Sequence, residues 1–131
     1  MLHITGLYAS ILGFLIIFLA YKVVNFRKTK RVGIGDNGDK LGMRAIRVHA
    51  NATEYIPILI ILMAIYELNG GAVLVLHIIG IISVFARILH AFGLSGSSGI
   101  SFGRFYGTAI TWVSIVGLSC LNIYQFLLKT I

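Results

Sequence analysis

Arg44-Ala-Ile-Arg47-Val-His-Ala-Asn51-Ala-Thr-Glu54-Tyr55-Ile-Pro57 runs without a break into Ile58-Leu-Ile-Ile-Leu-Met-Ala-Ile65. The second half has the composition of a membrane-spanning helix, yet the first half carries ions. Steps of three and four residues put Arg44, Arg47, Asn51 and Glu54 on one helical face, with Tyr55 and Ile58 following. An ionised side chain at bilayer depth costs about 2.5–3.5 kcal/mol or more, so such groups face a partner or a cavity. Two readings follow: a ligand site, or a structural Arg–Glu pair that holds helices together.

Composition supports the membrane setting. The chain has 131 residues and is 58% hydrophobic, with a mean hydropathy of +0.95; a soluble domain needs a far more polar surface. Only 11% of residues are charged, yet the net charge is +7. Seven of the 11 cations fall between positions 22 and 44: Lys22, Arg27, Lys28, Lys30, Arg31, Lys40 and Arg44. In a soluble protein this balance would suggest nucleic acid. Between two apolar segments it reads as a cytoplasmic loop held by anionic lipid head groups, with no nucleic-acid role. Cys120 is the single cysteine, so no intrachain disulfide forms, and its apolar neighbours suggest inert packing.

Four apolar segments, about 4–26, 41–68, 72–94 and 103–128, each supply the ~20 residues of a spanning helix. The expected fold is an all-α membrane protein: one domain over 1–131, an up-down bundle of four transmembrane helices. The first segment has no basic residue before it, unlike a cleavable signal peptide. The links differ: Arg27–Lys40 is basic, Glu67–Gly71 is a tight turn, and Ser95–Gly99 reads as flexible. Basic residues crowd loop one and flank loop three at Arg87 and Arg104, while loop two has none. The positive-inside rule then puts loops one and three in the cytoplasm and both termini outside it. Pro57 is expected to kink the second helix just above Glu54, opening room beside the polar stripe.

Some motifs fail on context. Gly33-Ile-Gly-Asp-Asn-Gly38 matches G-x-G-x-x-G by letter, but no strand precedes it and no βαβ unit surrounds it. Asp36 and Asp39 lack the distal Glu of a calcium loop. Asn51-Ala-Thr53 matches a glycosylation sequon placed on a membrane helix. His3, His49, His77 and His90 have no metal-like spacing, so no metal is implied.

Two further constellations survive. Helix three ends in Phe85-Ala-Arg87-Ile-Leu-His90-Ala-Phe-Gly93, and helix four opens with Phe102-Gly-Arg104-Phe-Tyr-Gly-Thr108. The topology gathers Arg44, Arg47, Arg87, His90 and Arg104 in one half of the bundle. Such a set suits an anionic, polar ligand with its carboxylates on arginines, beside an apolar half for a lipophilic partner. Arg87 and Arg104 could alternatively mark helix ends at the interface.

The run Arg47-Val-His-Ala-Asn51-Ala-Thr-Glu54-Tyr55-Ile-Pro57 closely resembles the R-x-x-x-N-x-x-E-x-x-P signature of the membrane-associated proteins in eicosanoid and glutathione metabolism (MAPEG). Arg87-x-Leu-His-Ala-x-Gly-Leu94 and Gly103-Arg-x-x-Gly-Thr108 extend the likeness over nearly the whole chain, and the small bacterial branch is the best match. The resemblance implies a homotrimer in the bacterial inner membrane, with glutathione as co-substrate bound between subunits by Arg47, Asn51, Glu54 and Tyr55. It further implies that Arg104 stabilises the glutathione thiolate as the catalytic residue. Arg44, Arg87 and His90 complete the expected binding set. The implied activity is a glutathione-dependent transferase or peroxidase acting on lipophilic electrophiles or hydroperoxides. Ile88, Leu89, His90 and Phe92 stand where the eicosanoid synthases are tyrosine-rich, which argues against an eicosanoid substrate. The alternatives are a non-catalytic member binding a thiol or lipid, and a small proton-coupled exporter. The exporter is disfavoured by the absence of an acid in the first helix and by the strong charge bias.

Overall fold

The computed structural model describes residues 1–96 and 101–130. They form four long helices: α1 (His3–Lys30), α2 (Lys40–Leu68), α3 (Val73–Gly96) and α4 (Phe102–Thr130). Each contains an apolar window long enough to cross a bilayer. α1 runs four residues past its expected end, since no Gly or Pro interrupts it before Gly33. Its 28 residues span about 42 Å, more than the ~30 Å hydrocarbon layer, so its basic end reaches the head groups. Arg31 closes it in the left-handed conformation (φ 56), and Arg27, Lys28 and Lys30 occupy the last turn, where cations complement the helix dipole. α3 continues through Ser95 and Gly96; the rest of the link expected to be flexible, Ser97–Gly99, lies outside the described residues. α2 passes through Pro57 as one helix.

The helices alternate in direction. α3 packs on α4, α1 on α2, and α2 and α3 meet across the centre, while α1 and α4 do not touch among the described residues. Side chains fix the ends. Asp39 caps α2 through its carboxylate, which accepts from the amides of Leu41 (2.7 Å) and Gly42 (3.4 Å). Glu67, in the last turn of α2, accepts from the amides of Ile4 (3.0 Å) and Thr5 (2.7 Å), so one helix caps the next-door helix's open N-terminus. At the same end Lys129 donates to the Asn69 carbonyl at 2.8 Å.

The core is apolar: Leu12, Leu59, Met63, Leu76 and Leu118 are fully buried. The outside is apolar too, with Phe14, Ile17, Val113 and Phe126 exposed, the distribution a lipid solvent favours. Cys120 is exposed on α4, which corrects the expectation that it is packed inside.

Candidate functional site

α2 has two unlike faces. Val48, Ala52, Ile56, Leu59 and Met63 point into the bundle, while Arg47 and Glu54, followed by Ile58, Ile61 and Ile65, point out of it. Glu54 is the central residue of the 29-residue helix. Its carboxylate lies 3.9 Å from the Arg47 guanidinium, with the two side chains 50% and 60% exposed. So loose and open a pair contributes little to stability by itself.

Between α2, α3 and α4, at the end holding the 31–39 loop, lies a cavity of about 610 Å³. α2 lines it with Met43, Arg44, Arg47 and Asn51, α3 with His90 and Leu94, and α4 with Arg104, Phe105, Thr108, Ala109 and Trp112. Steps of three and four residues put Arg44, Arg47 and Asn51, His90 and Leu94, and Arg104, Thr108 and Trp112 on the faces towards it, with Met43, Phe105 and Ala109 flanking them. Small residues set the approach. A Cβ on Gly107 would lie 2.6 Å from the Ala86 carbonyl oxygen and 2.8 Å from the His90 amide nitrogen, and one on Gly103 would lie 2.7 Å from the Leu89 oxygen. These glycines let α4 touch the α3 backbone and bring Arg104 level with His90. Ser101 secures the start of α4: its hydroxyl donates to the Gly93 carbonyl at 3.0 Å and accepts from the Arg104 amide at 3.3 Å. At the other wall Arg44 donates to the Gly96 carbonyl at 2.9 Å, tying the start of α2 to the end of α3.

Arg87 is buried, at 1% exposure, which overturns its reading as an interfacial helix end. Its Nη2 donates to Asn51 Oδ1 at 2.5 Å and lies 3.4 Å from His90 Nδ1. A guanidinium only donates, so that contact needs Nδ1 as the acceptor and places the ring proton on Nε2. The Arg87 Cζ lies 5.6 Å from the centre of the Tyr55 ring, within cation–π range. Nε and Nη1 of Arg87 have no hydrogen-bond partner among the described residues.

Five of the eight expected site residues, Arg44, Arg47, Asn51, His90 and Arg104, therefore line one cavity. Glu54, Tyr55 and Arg87 do not; Arg87 holds Asn51 and lies over the Tyr55 ring. The sequence reading missed the apolar wall of Met43, Leu94, Phe105 and Trp112. In spans that are apolar throughout, such residues carry no distinguishing signal beyond their spacing from Arg47 and Arg104. Among the described residues, no group of three or more His, Cys, Asp or Glu comes together as a metal site.

Comparison with known proteins places the chain in a family. The model of the MAPEG family matches residues 5–124. The chain belongs to the MAPEG family. Relatives named inner membrane protein YecN, from Escherichia coli strain K12 and from strain O6:H1, are each 34% identical over 121 residues, 92% of this MAPEG chain and 91% of theirs. The matched region takes in every residue that lines the cavity, so this MAPEG protein carries its cavity within the family's shared portion.

Proposed function

We propose that this protein is an inner-membrane, glutathione-dependent transferase or peroxidase acting on lipophilic electrophiles or hydroperoxides. The observation that carries the reading is the single cavity that joins Arg44, Arg47, Asn51, His90 and Arg104 to an apolar wall. Its volume falls within the roughly 300–1,000 Å³ of small-molecule sites. Guanidinium groups of Arg44 and Arg47 would take the carboxylates of the tripeptide, since planar donor forks match carboxylates in charge and shape. Asn51, held by Arg87, offers its amide for the peptide groups.

Arg104 is the catalytic candidate. A free thiol has a pKa of about 8.5 and is mostly protonated at neutral pH; an adjacent guanidinium favours the nucleophilic thiolate. The wall of Phe105, Trp112, Leu94 and Met43 would hold a lipophilic co-substrate beside that sulfur.

The same reading takes the assembly to be a homotrimer. Glu54 is the central residue of α2, on its outward face and half exposed in the single chain, and a charge so placed on a spanning helix needs cover. A neighbouring copy laid on that face would supply it and would bring Glu54 and Tyr55 towards a shared site. Loops one and three are taken as cytoplasmic from their positive charge. The test is turnover: purified protein incubated with glutathione and either a lipophilic aryl halide or a lipophilic hydroperoxide. Product formed by the parent and lost in Arg104→Ala supports the proposal. No product with either substrate class, from a folded oligomer, contradicts it.

A further inference from the structure

We propose that the crevice between α1 and α3 is a binding site for a phospholipid with an anionic head group, drawn from the leaflet on the side of the 31–39 loop. The crevice lies on the opposite side of α3 from the catalytic candidate and shares no residue with it. α1 contributes Leu15, Phe18 and Lys22, and α3 contributes Ile88, Phe92 and Ser95, each set in steps of three and four. The two helices run the same way: the Tyr8 hydroxyl lies 2.8 Å from His77 Nδ1 near their starts. The crevice runs from Leu15 and Ile88 to Lys22 and Ser95, which stand two turns further along their helices. The crevice is thus apolar along its length and polar at one end. That order fits an amphiphile, with a chain on Phe18, Ile88 and Phe92 and a phosphate on Lys22 and the Ser95 hydroxyl.

Three observations narrow the occupant. First, the crevice holds only about 30 Å³, so its occupant lies along the surface and is not enclosed. Second, the Lys22 ammonium lies 5.1 Å from the centre of the Phe18 ring, folded onto the crevice. Neither Lys30–Asp39 nor Arg47–Glu54 involves Lys22, which has no carboxylate partner among the described residues. Third, Arg27, Lys28, Lys30 and Arg31 stand on the next turns of α1. Their summed field favours a net negative head group over a zwitterionic one, whose own cation it repels. A soluble anion would gain nothing from the apolar walls.

The test uses the detergent-purified full chain in native mass spectrometry, with phosphatidylglycerol and phosphatidylcholine of identical acyl chains. The parent should retain phosphatidylglycerol in preference, and Lys22→Gln should lower that preference roughly fivefold, the scale of one basic residue at a membrane surface. Lys28→Gln, which removes one charge of the surrounding field but none from the crevice, should lower it by less. A second measurement places the lipid: with Phe92→Trp in a Trp112→Phe background, a brominated phosphatidylglycerol should quench the new indole more than brominated phosphatidylcholine. Equal retention of the two lipids, equal losses in Lys22→Gln and Lys28→Gln, or quenching blind to head group would each overturn the proposal. So would protection of the indole from both lipids by a neighbouring subunit.

Discussion

The Nη2 of Arg87 lies 2.5 Å from Asn51 Oδ1, so the most buried cation of α3 is held by the central amide of the α2 polar stripe. This bond satisfies one nitrogen of a guanidinium at 1% exposure and fixes the orientation of Asn51 at the cavity wall. A buried charge with its acceptor removed is costly, while an apolar replacement of similar volume can be nearly neutral. Asn51→Ala should therefore destabilise the folded protein by about 2–3 kcal/mol, and Arg87→Met by much less. Thermal unfolding in detergent would show this, and in the Asn51→Ala, Arg87→Met double variant most of the loss should be recovered. Additive losses would mean that the two residues act independently.

Glu67 links α2 to the start of α1 through the amides of Ile4 and Thr5. Removing an N-terminal cap costs about 1 kcal/mol. Glu67→Ala should lower stability by that amount and speed amide hydrogen exchange at Ile4 and Thr5, leaving the cavity end untouched. Unchanged exchange at those two amides would sink the capping role.

Much of this architecture is legible in the sequence, and the reasons are physical. The four spans are apolar runs of bilayer length, and the basic end of α1 and the stripe on α2 stand out because charge is rare among them. Arg44, Arg47, Asn51, His90 and Arg104 are recognisable as a set because polar residues in a membrane must find company. Other features depend on tertiary contacts. Glu67 reads as part of a turn, since nothing local shows that it reaches a helix more than sixty residues earlier. Arg87 reads as a ligand-binding residue or, alternatively, an interfacial charge, because its burial is set by α2 lying across it. Trp112 and Phe105 carry no signal that separates them from Val113 and Val116 until α4 is placed.

Gly107 lets α4 touch α3 where a side chain would meet the Ala86 carbonyl and the His90 backbone. Overpacking of this kind costs typically 1–3 kcal/mol. Gly107→Ala should destabilise the protein within that range and, by shifting α4, reduce any activity that depends on Arg104. Gly6→Ala, where added bulk meets nothing within 4 Å, serves as the control and should leave the unfolding midpoint nearly unchanged.

Asp39 sits outside the spans, and the Leu41 amide first, then Lys30, hold its carboxyl below the usual value of 3.8. A carboxyl with a folded pKa below its unfolded one stabilises fully above the unfolded pKa, and that contribution fades as pH falls through the folded one. Asp39→Asn keeps a capping acceptor and removes the charge. The parent should unfold at a higher temperature than Asp39→Asn at pH 7, and the gap should close as pH falls below 3.8. A gap independent of pH would contradict this account.

The most direct test of the central claim is calorimetric titration of glutathione into the detergent-purified oligomer, with Arg47→Ala and Arg104→Ala run alongside. The account predicts saturable binding in the parent, with binding lost in Arg47→Ala and retained in Arg104→Ala, whose guanidinium acts on the sulfur. No heat of binding from a folded oligomer, or binding that survives in Arg47→Ala, would contradict it.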